Sequence, residues 1–153
     1  MVIEKRVCVG VSILVLKEDE KSVLLGKRRG IAQGGICVHG GGEYGPPGGS
    51  LKYLETSRIG SLRELSEETG LNGINIEWID EFPCEETQSI FEDGLHIVTL
   101  YHRAKYINGI PNVMEPEECS EWKWHHWNKL PEPLFLPLRN LVAQGYNPFR
   151  GLK

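Results

Sequence analysis

Residues 6–16, Arg-Val-Cys-Val-Gly-Val-Ser-Ile-Leu-Val-Leu, form a nearly continuous aliphatic run rich in β-branched side chains, the pattern of a strand buried on both faces. A polar turn from Lys17 to Ser22 ends it. Val23–Gly26 follows at hairpin distance and runs into the basic triplet Lys27-Arg28-Arg29. Residues 30–49 hold nine glycines and show no period, so the pattern predicts a long loop. From Thr56 to Thr69 the apolar spacing turns helical, and Gly70 is placed to stop the helix. Strands are predicted over Ile74–Phe82, where Pro83 closes the run, over 95–106, and over the aromatic stretch Glu121–Trp127. A last helix is predicted over Leu134–Gln144, followed by Gly145. Strands and helices mix without regular βαβ alternation, which favours an α+β fold with a mixed sheet over a doubly wound one.

Composition narrows the function classes. At 153 residues the chain is the length of a single domain and long enough to bury a core without metal or disulfide staples. Twenty-one acids against 17 bases give a net charge of −4, which disfavours binding to nucleic-acid polymers. It leaves room for a small anionic substrate, because a bound cation inverts the local field. Cys8, Cys37, Cys84 and Cys119 are scattered without a C-x-x-C pair, as expected of reduced thiols in a cytoplasmic protein. The first twenty residues hold no apolar run suited to a signal segment, and no membrane span is expected anywhere.

The candidate chemistry lies on the first helix. Glu67 falls about 60° to one side of Glu64 and Glu68 about 40° to the other, so three carboxylates share one arc. Ile59, Leu62 and Leu65 fall opposite and are expected to face the core. Like charges at these spacings repel, no lysine is interleaved, and the C-terminal half of a helix disfavours anions. A local rule broken without compensation marks a functional site. Closely packed oxygen ligands suit Mg²⁺ or Mn²⁺. Just upstream, Pro47-Gly48-Gly49 offers backbone that a ligand can approach closely.

From Gly49 the sequence runs five residues to Glu55, seven more, then Arg63-Glu64-Leu65-Ser66-Glu67-Glu68-Thr69-Gly70-Leu71. This resembles the Nudix box, G-x5-E-x7-R-E-U-x-E-E-x-G-U with U aliphatic, at all nine defined positions of 49–71. The resemblance implies a single Nudix domain over 1–153, a mixed β-sheet sandwiched between helices, with a terminal helix at about 134–145. It also implies metal-dependent attack of water on the phosphorus of a nucleoside diphosphate linked to another group. By position, Glu64, Glu67 and Glu68 resemble the metal ligands, joined by the Gly48 carbonyl, with Gly49 beside it at the substrate. Glu55 and Arg63 resemble the pair that braces the loop against the helix. The base varies in this family between a box glutamate and an acid on a later loop; Glu92 is the candidate here, with Asp93, Glu85 and Glu86 behind it.

Outside the box, VGVSILVLKEDEKSVLLGKRRG, GEYGPPGGSLKYLE, HIVTLYHRAKY, NVMEPEECSEWKWHHW and LFLPLRNLVAQGYNPF resemble the MutT-related nucleoside triphosphate diphosphatases and relatives labelled ADP-ribose pyrophosphatases. This implies release of pyrophosphate and monophosphate from a nucleoside triphosphate, modified or oxidised bases included. The alternatives are hydrolysis of ADP-ribose or another nucleoside diphosphate sugar, and a non-catalytic nucleotide-sensing module. The same likeness puts Thr99, Phe135 and Leu138 at the base and suggests a homodimer. Departures from relatives are a longer Gly30–Gly41 segment, Tyr44 where tryptophan is common, and Leu136-Pro137.

Three other signals were weighed. Gly40–Gly45 satisfies G-x-G-x-x-G, but Pro46-Pro47 follows where a dinucleotide site needs a helix. Within the basic triplet, Arg28 is the candidate for steering phosphates. In His125-His126, strand alternation predicts that one ring packs and the other faces solvent, rather than a metal pair.

Overall fold

The computed structural model describes residues 5–30 and 39–152. Cys37, and the part of the glycine-rich segment at 31–38, lie outside the described residues. The elements are β1 (Val7–Lys17), β2 (Ser22–Arg28), β3 (Tyr44–Gly45), β4 (Gly48–Ser50), α1 (Ser57–Thr69), β5 (Ile76–Trp78), β6 (Glu85–Ile90), β7 (His96–Tyr106), β8 (Cys119–His126) and α2 (Leu136–Ala143), with a 3-10 turn at Trp127–Lys129.

The strands form a mixed sheet. β1 and β7 run parallel from Val7↔His96 to Leu16↔Lys105 and make its spine. Antiparallel neighbours flank them: β2 and β4 on β1, β5 and β6 on β7, β8 and β3 on β2. Alternation along β1 explains its apolar run. Ile13 and Val15 enter one core with Leu24 and Leu65 of α1, while Leu14 and Leu16 enter the other with Leu138 and Leu141 of α2. A strand covered on both faces cannot alternate with polar residues. The architecture is the expected α+β arrangement, a sheet between helices.

The first helix is punctuated by its sequence. The Thr56 side chain accepts from the Ile59 amide, and Gly70 closes the far end with φ 79°, a left-handed conformation that glycine adopts without a Cβ clash. Its buried face keeps Leu65 and, packed at the core's edge, Leu62 of the expected stripe, but not Ile59. Ile59 is 57% exposed, and the buried positions are Gly60, Ser61, Leu65 and Thr69. The reason is steric: a Cβ at Gly60 would press on the Glu55 carboxylate and Leu51, so the helix packs through small residues.

Other boundaries shift. The strand expected at Ile74–Phe82 is confined to Ile76–Trp78, that expected at Glu121–Trp127 begins at Cys119, and the last helix is Leu136–Ala143. β6 was not expected at all. Its inward positions are Thr87 and Ser89, so a strand with period 2 in burial carries no period in hydrophobicity. The glycine-rich stretch also contains β3 and the start of β4, so its last residues join the sheet. Among the described residues, no helix is long and apolar enough to cross a membrane.

Candidate active site

A cavity of about 480 Å³ opens between the β1–β7 spine, β4, the C-terminal half of α1 and the start of α2. That is within the usual range for a small-molecule site. Glu64, Glu68, Glu115 and Glu118 line one end; Thr99, Phe135, Pro137 and Leu138 line the other, and Arg28 lies on the wall between Glu68 and Phe135.

At the acidic end, β4 and α1 are locked together by Arg63. Its Nε donates to Glu55 Oε2 at 2.7 Å and its Nη2 to Glu55 Oε1 at 2.9 Å and to the Ser50 carbonyl at 3.0 Å. Nη1 donates to Glu64 at 2.8 Å and to Glu67 at 3.2 Å. One guanidinium thus ties the loop, the strand and two helix carboxylates, and the hydrogen bonds from Arg63 hold the Glu55 carboxyl down to about 2. The expected Glu55–Arg63 pair is therefore formed. Gly49 sits against Glu64 so closely that a Cβ would collide with the carboxylate. Gly48 donates its amide to Glu68 Oε2 at 3.3 Å.

Glu68 is the electrostatically costly member. Burial and then the charge of Glu64 push its carboxyl well above the ordinary range, partly opposed by the Gly48 amide. Glu115 joins from the connection between β7 and β8; burial and the charges of Glu118, Glu64 and Glu67 raise it to about 7. Trp122 fixes the neighbourhood by donating from its indole nitrogen to the Glu68 carbonyl at 3.1 Å. Glu67 is the more exposed ligand candidate, with 45% of its side chain accessible. Among the described residues, no three acidic, histidine or cysteine side chains converge as a ready-made cation cage, since Arg63 holds Glu64 and Glu67 to itself. The donor set nevertheless fits a hard divalent cation, because clustered carboxylate oxygens suit such an ion and its charge would relieve the repulsion that Glu68 and Glu115 carry.

At the other end, Phe135 caps α2 and is pinned by its amide to the Tyr44 carbonyl at 2.8 Å. The Arg28 guanidinium lies over its ring at 3.9 Å from the centroid. Burial lowers the Arg28 pKa below its ordinary value, opposed first by Glu68. Phe135 therefore presents an arginine-covered face. Thr99 and Leu138 are buried in the wall.

The structure separates the base candidates. Glu92 is exposed on the turn between β6 and β7 and does not line the cavity; Glu85 and Glu86 lie on β6, and Asp93 is bound to His39. Glu115 is the acid that tertiary folding brings to the carboxylates, and the sequence reading passed over it. Its run Glu115-Pro116-Glu117-Glu118 reads as a solvated loop, with no local signal to set it apart. His125 packs edge-on against Tyr44 while His126 is exposed, as alternation predicts. Gly40–Gly45 leads into a strand, not a helix. Among the described residues, Cys8, Cys84 and Cys119 are free thiols.

Comparison with known proteins agrees with this fold. A model of the NUDIX domain matches residues 7–145. The RNA pyrophosphohydrolase of Zymomonas mobilis subsp. mobilis is 30% identical over 98 residues, covering 56% of this chain and 63% of that protein, so the chain spans under two thirds of that relative's length. The crystal structure of a MutT NUDIX hydrolase from Burkholderia pseudomallei superposes with a TM-score of 0.72 at 25% identity, covering 92% of this chain and 97% of that one. The MutT protein from Methanosarcina mazei Go1 shares the fold, with a TM-score of 0.70 at 18% identity over 94% and 95% of the two chains.

Proposed function

This chain belongs to the Nudix family, and on that footing we propose that it is a divalent-metal-dependent pyrophosphohydrolase that cleaves a nucleoside triphosphate to monophosphate and pyrophosphate. The observation that carries the reading is the continuity of one cavity from Glu64, Glu68 and Glu115 at one end to Thr99, Phe135 and Leu138 at the other. A substrate that fills it needs a polyanionic part and a planar apolar part joined at a fixed span, which describes a nucleotide.

Glu64, Glu67 and Glu68, with the Gly48 carbonyl, are the groups that would hold Mg²⁺ or Mn²⁺. When bound, such a cation neutralises phosphate charge and lowers the pKa of water. The chain's own residues do the rest. Arg63 holds the helix and the Gly48–Gly49 backbone in register through Glu55 and Ser50. Arg28 offers its guanidinium to the phosphates while its plane rests on Phe135. Thr99 and Leu138 enclose the base. Glu115 accepts the proton of the attacking water on its carboxylate, the role first sought at Glu92.

The test is a substrate panel with Mg²⁺, read by product analysis. Nucleoside triphosphates should give monophosphate and pyrophosphate. AMP and ribose phosphate from ADP-ribose, with triphosphates untouched, would move the assignment to nucleoside diphosphate sugars. Turnover of 5′-triphosphorylated RNA alone would align the chain with its curated relative. Nucleotide binding without any turnover would make it a sensing module.

A further inference from the structure

The cavity's aromatic end is held by an ion pair that the Nudix box does not contain. His39 Nε2 donates to Asp93 Oδ2 at 2.5 Å, linking the connection before β3 to the turn between β6 and β7, 54 positions apart in sequence. Each partner has a second hold on the cavity. The His39 carbonyl accepts from Arg28 Nε at 2.9 Å, and the His39 ring meets Phe91 edge-on at 5.0 Å. Phe91 in turn lies 5.8 Å from the Phe135 ring, whose face carries Arg28. Asp93 uses its other oxygen to accept the Leu95 amide at 3.1 Å, and Leu95 and His39 both line the cavity. Gly40, at φ 77°, lets the backbone pass against Phe135 where a Cβ would collide with the ring.

We propose that His39 and Asp93 are a positioning pair that sets the plane of the Arg28–Phe135 stack, and through it the affinity for the nucleoside part of the substrate. The proposal rests on the nucleotide reading of the cavity. Neither side chain touches the reacting phosphorus. Their effect runs through the Arg28 Nε–H, whose acceptor is a backbone carbonyl held in place by the ion pair. Removing the pair frees that carbonyl and the Phe91 edge together, so the stack loses its orientation while the carboxylate end, fixed by Arg63, does not change.

The experiment uses His39→Ala, Asp93→Asn and the double variant in the full chain. Asp93→Asn keeps an oxygen for the Leu95 amide and replaces the oxygen that accepts from His39 with an amide NH2, removing both the charge and the acceptor offered to histidine. Three readouts are taken: the Arg28 Nε–H resonance by NMR, the Kd for nucleoside monophosphates by calorimetry, and KM and kcat for nucleoside triphosphates and for inorganic tripolyphosphate. In the wild type the Arg28 Nε–H signal should be sharp and slow to exchange, and it should broaden or shift in each variant. Kd and KM for nucleotides should rise about threefold, the size of effect an exposed pair supports, with kcat within twofold. The double variant should add nothing to either single change, and KM for tripolyphosphate, which meets Arg28 but not the aromatic end, should rise by less than KM for nucleotides. His39→Gln, which retains a side-chain donor, should recover part of the loss. An unchanged Arg28 resonance with unchanged Kd overturns the pair's role, as does an equal rise for tripolyphosphate. A wild type that binds monophosphates but hydrolyses no triphosphate overturns the proposed reaction and still lets resonance and Kd decide the pair. A wild type that binds no nucleotide overturns both.

Discussion

The two ends of the cavity are built in opposite ways. The acidic end is built around one contiguous stretch, Gly48 to Glu68, in which a short strand and a helix are tied by the hydrogen bonds of a single arginine, and Glu115 and Glu118 join it from the β7–β8 connection. The aromatic end is assembled from four separated places, Arg28, His39–Gly45, Phe91–Thr99 and Phe135–Leu138, held by stacking, one ion pair and backbone bonds. The first arrangement fixes charged groups where a displacement of about 1 Å can cost 100-fold in rate. The second fixes a surface, where misplacement weakens binding by smaller factors. The cation-holding carboxylates thus come from one local stretch, whereas the proposed base Glu115 and the recognition surface are assembled from distant ones.

The sharpest way to break this contrast is at the ligands. Glu64→Gln should lower kcat more than 100-fold with the fold intact by circular dichroism, and chelation by EDTA should abolish turnover until Mg²⁺ is restored. Next, Glu115→Gln should lower kcat about 100-fold in steady-state assays, as expected for loss of a positioned base, while Glu92→Gln stays within twofold of wild type. The reverse pattern would return the base to the β6–β7 turn. At the other end, Phe135→Ala should raise KM about tenfold with little change in kcat, since it removes the ring that carries Arg28, a cation–π contact worth about 0.5–2 kcal/mol. The smallest effect concerns stability. Arg63 lowers the Glu55 carboxyl to about 2, below its unfolded value, so the pair's contribution is complete above that unfolded value and fades as pH falls toward 2. Glu55→Gln should therefore lower Tm at neutral pH, and the difference from wild type should narrow in an acid titration of Tm.

The same contrast explains what could be read from the residues alone. Glu64, Glu67 and Glu68 share an arc because the helical repeat places them there, and Gly70 stops the helix wherever it is folded. Such features are local and need no tertiary knowledge. Glu115 and the His39–Asp93 pair are visible only after β1, β7 and their neighbours have assembled, because the pairing partners lie tens of residues apart and each alone looks like an ordinary loop residue. Strand β6 escaped for a different reason. Thr87 and Ser89 point inward, so burial and hydrophobicity part company there. Ile59 shows the converse: an apolar residue on the expected core stripe is solvent-facing, while its neighbours Gly60 and Ser61 are buried and Gly60 packs on Glu55 and Leu51.

A double-mutant cycle between Glu64 and Phe135, read as kcat and KM for a nucleoside triphosphate in Mg²⁺, tests the division of labour most directly. The account predicts that Glu64→Gln lowers kcat, that Phe135→Ala raises KM, and that the double variant combines the two losses to within about 0.5 kcal/mol. A Phe135→Ala loss that falls on kcat, or a double variant no worse than Glu64→Gln alone, would contradict it.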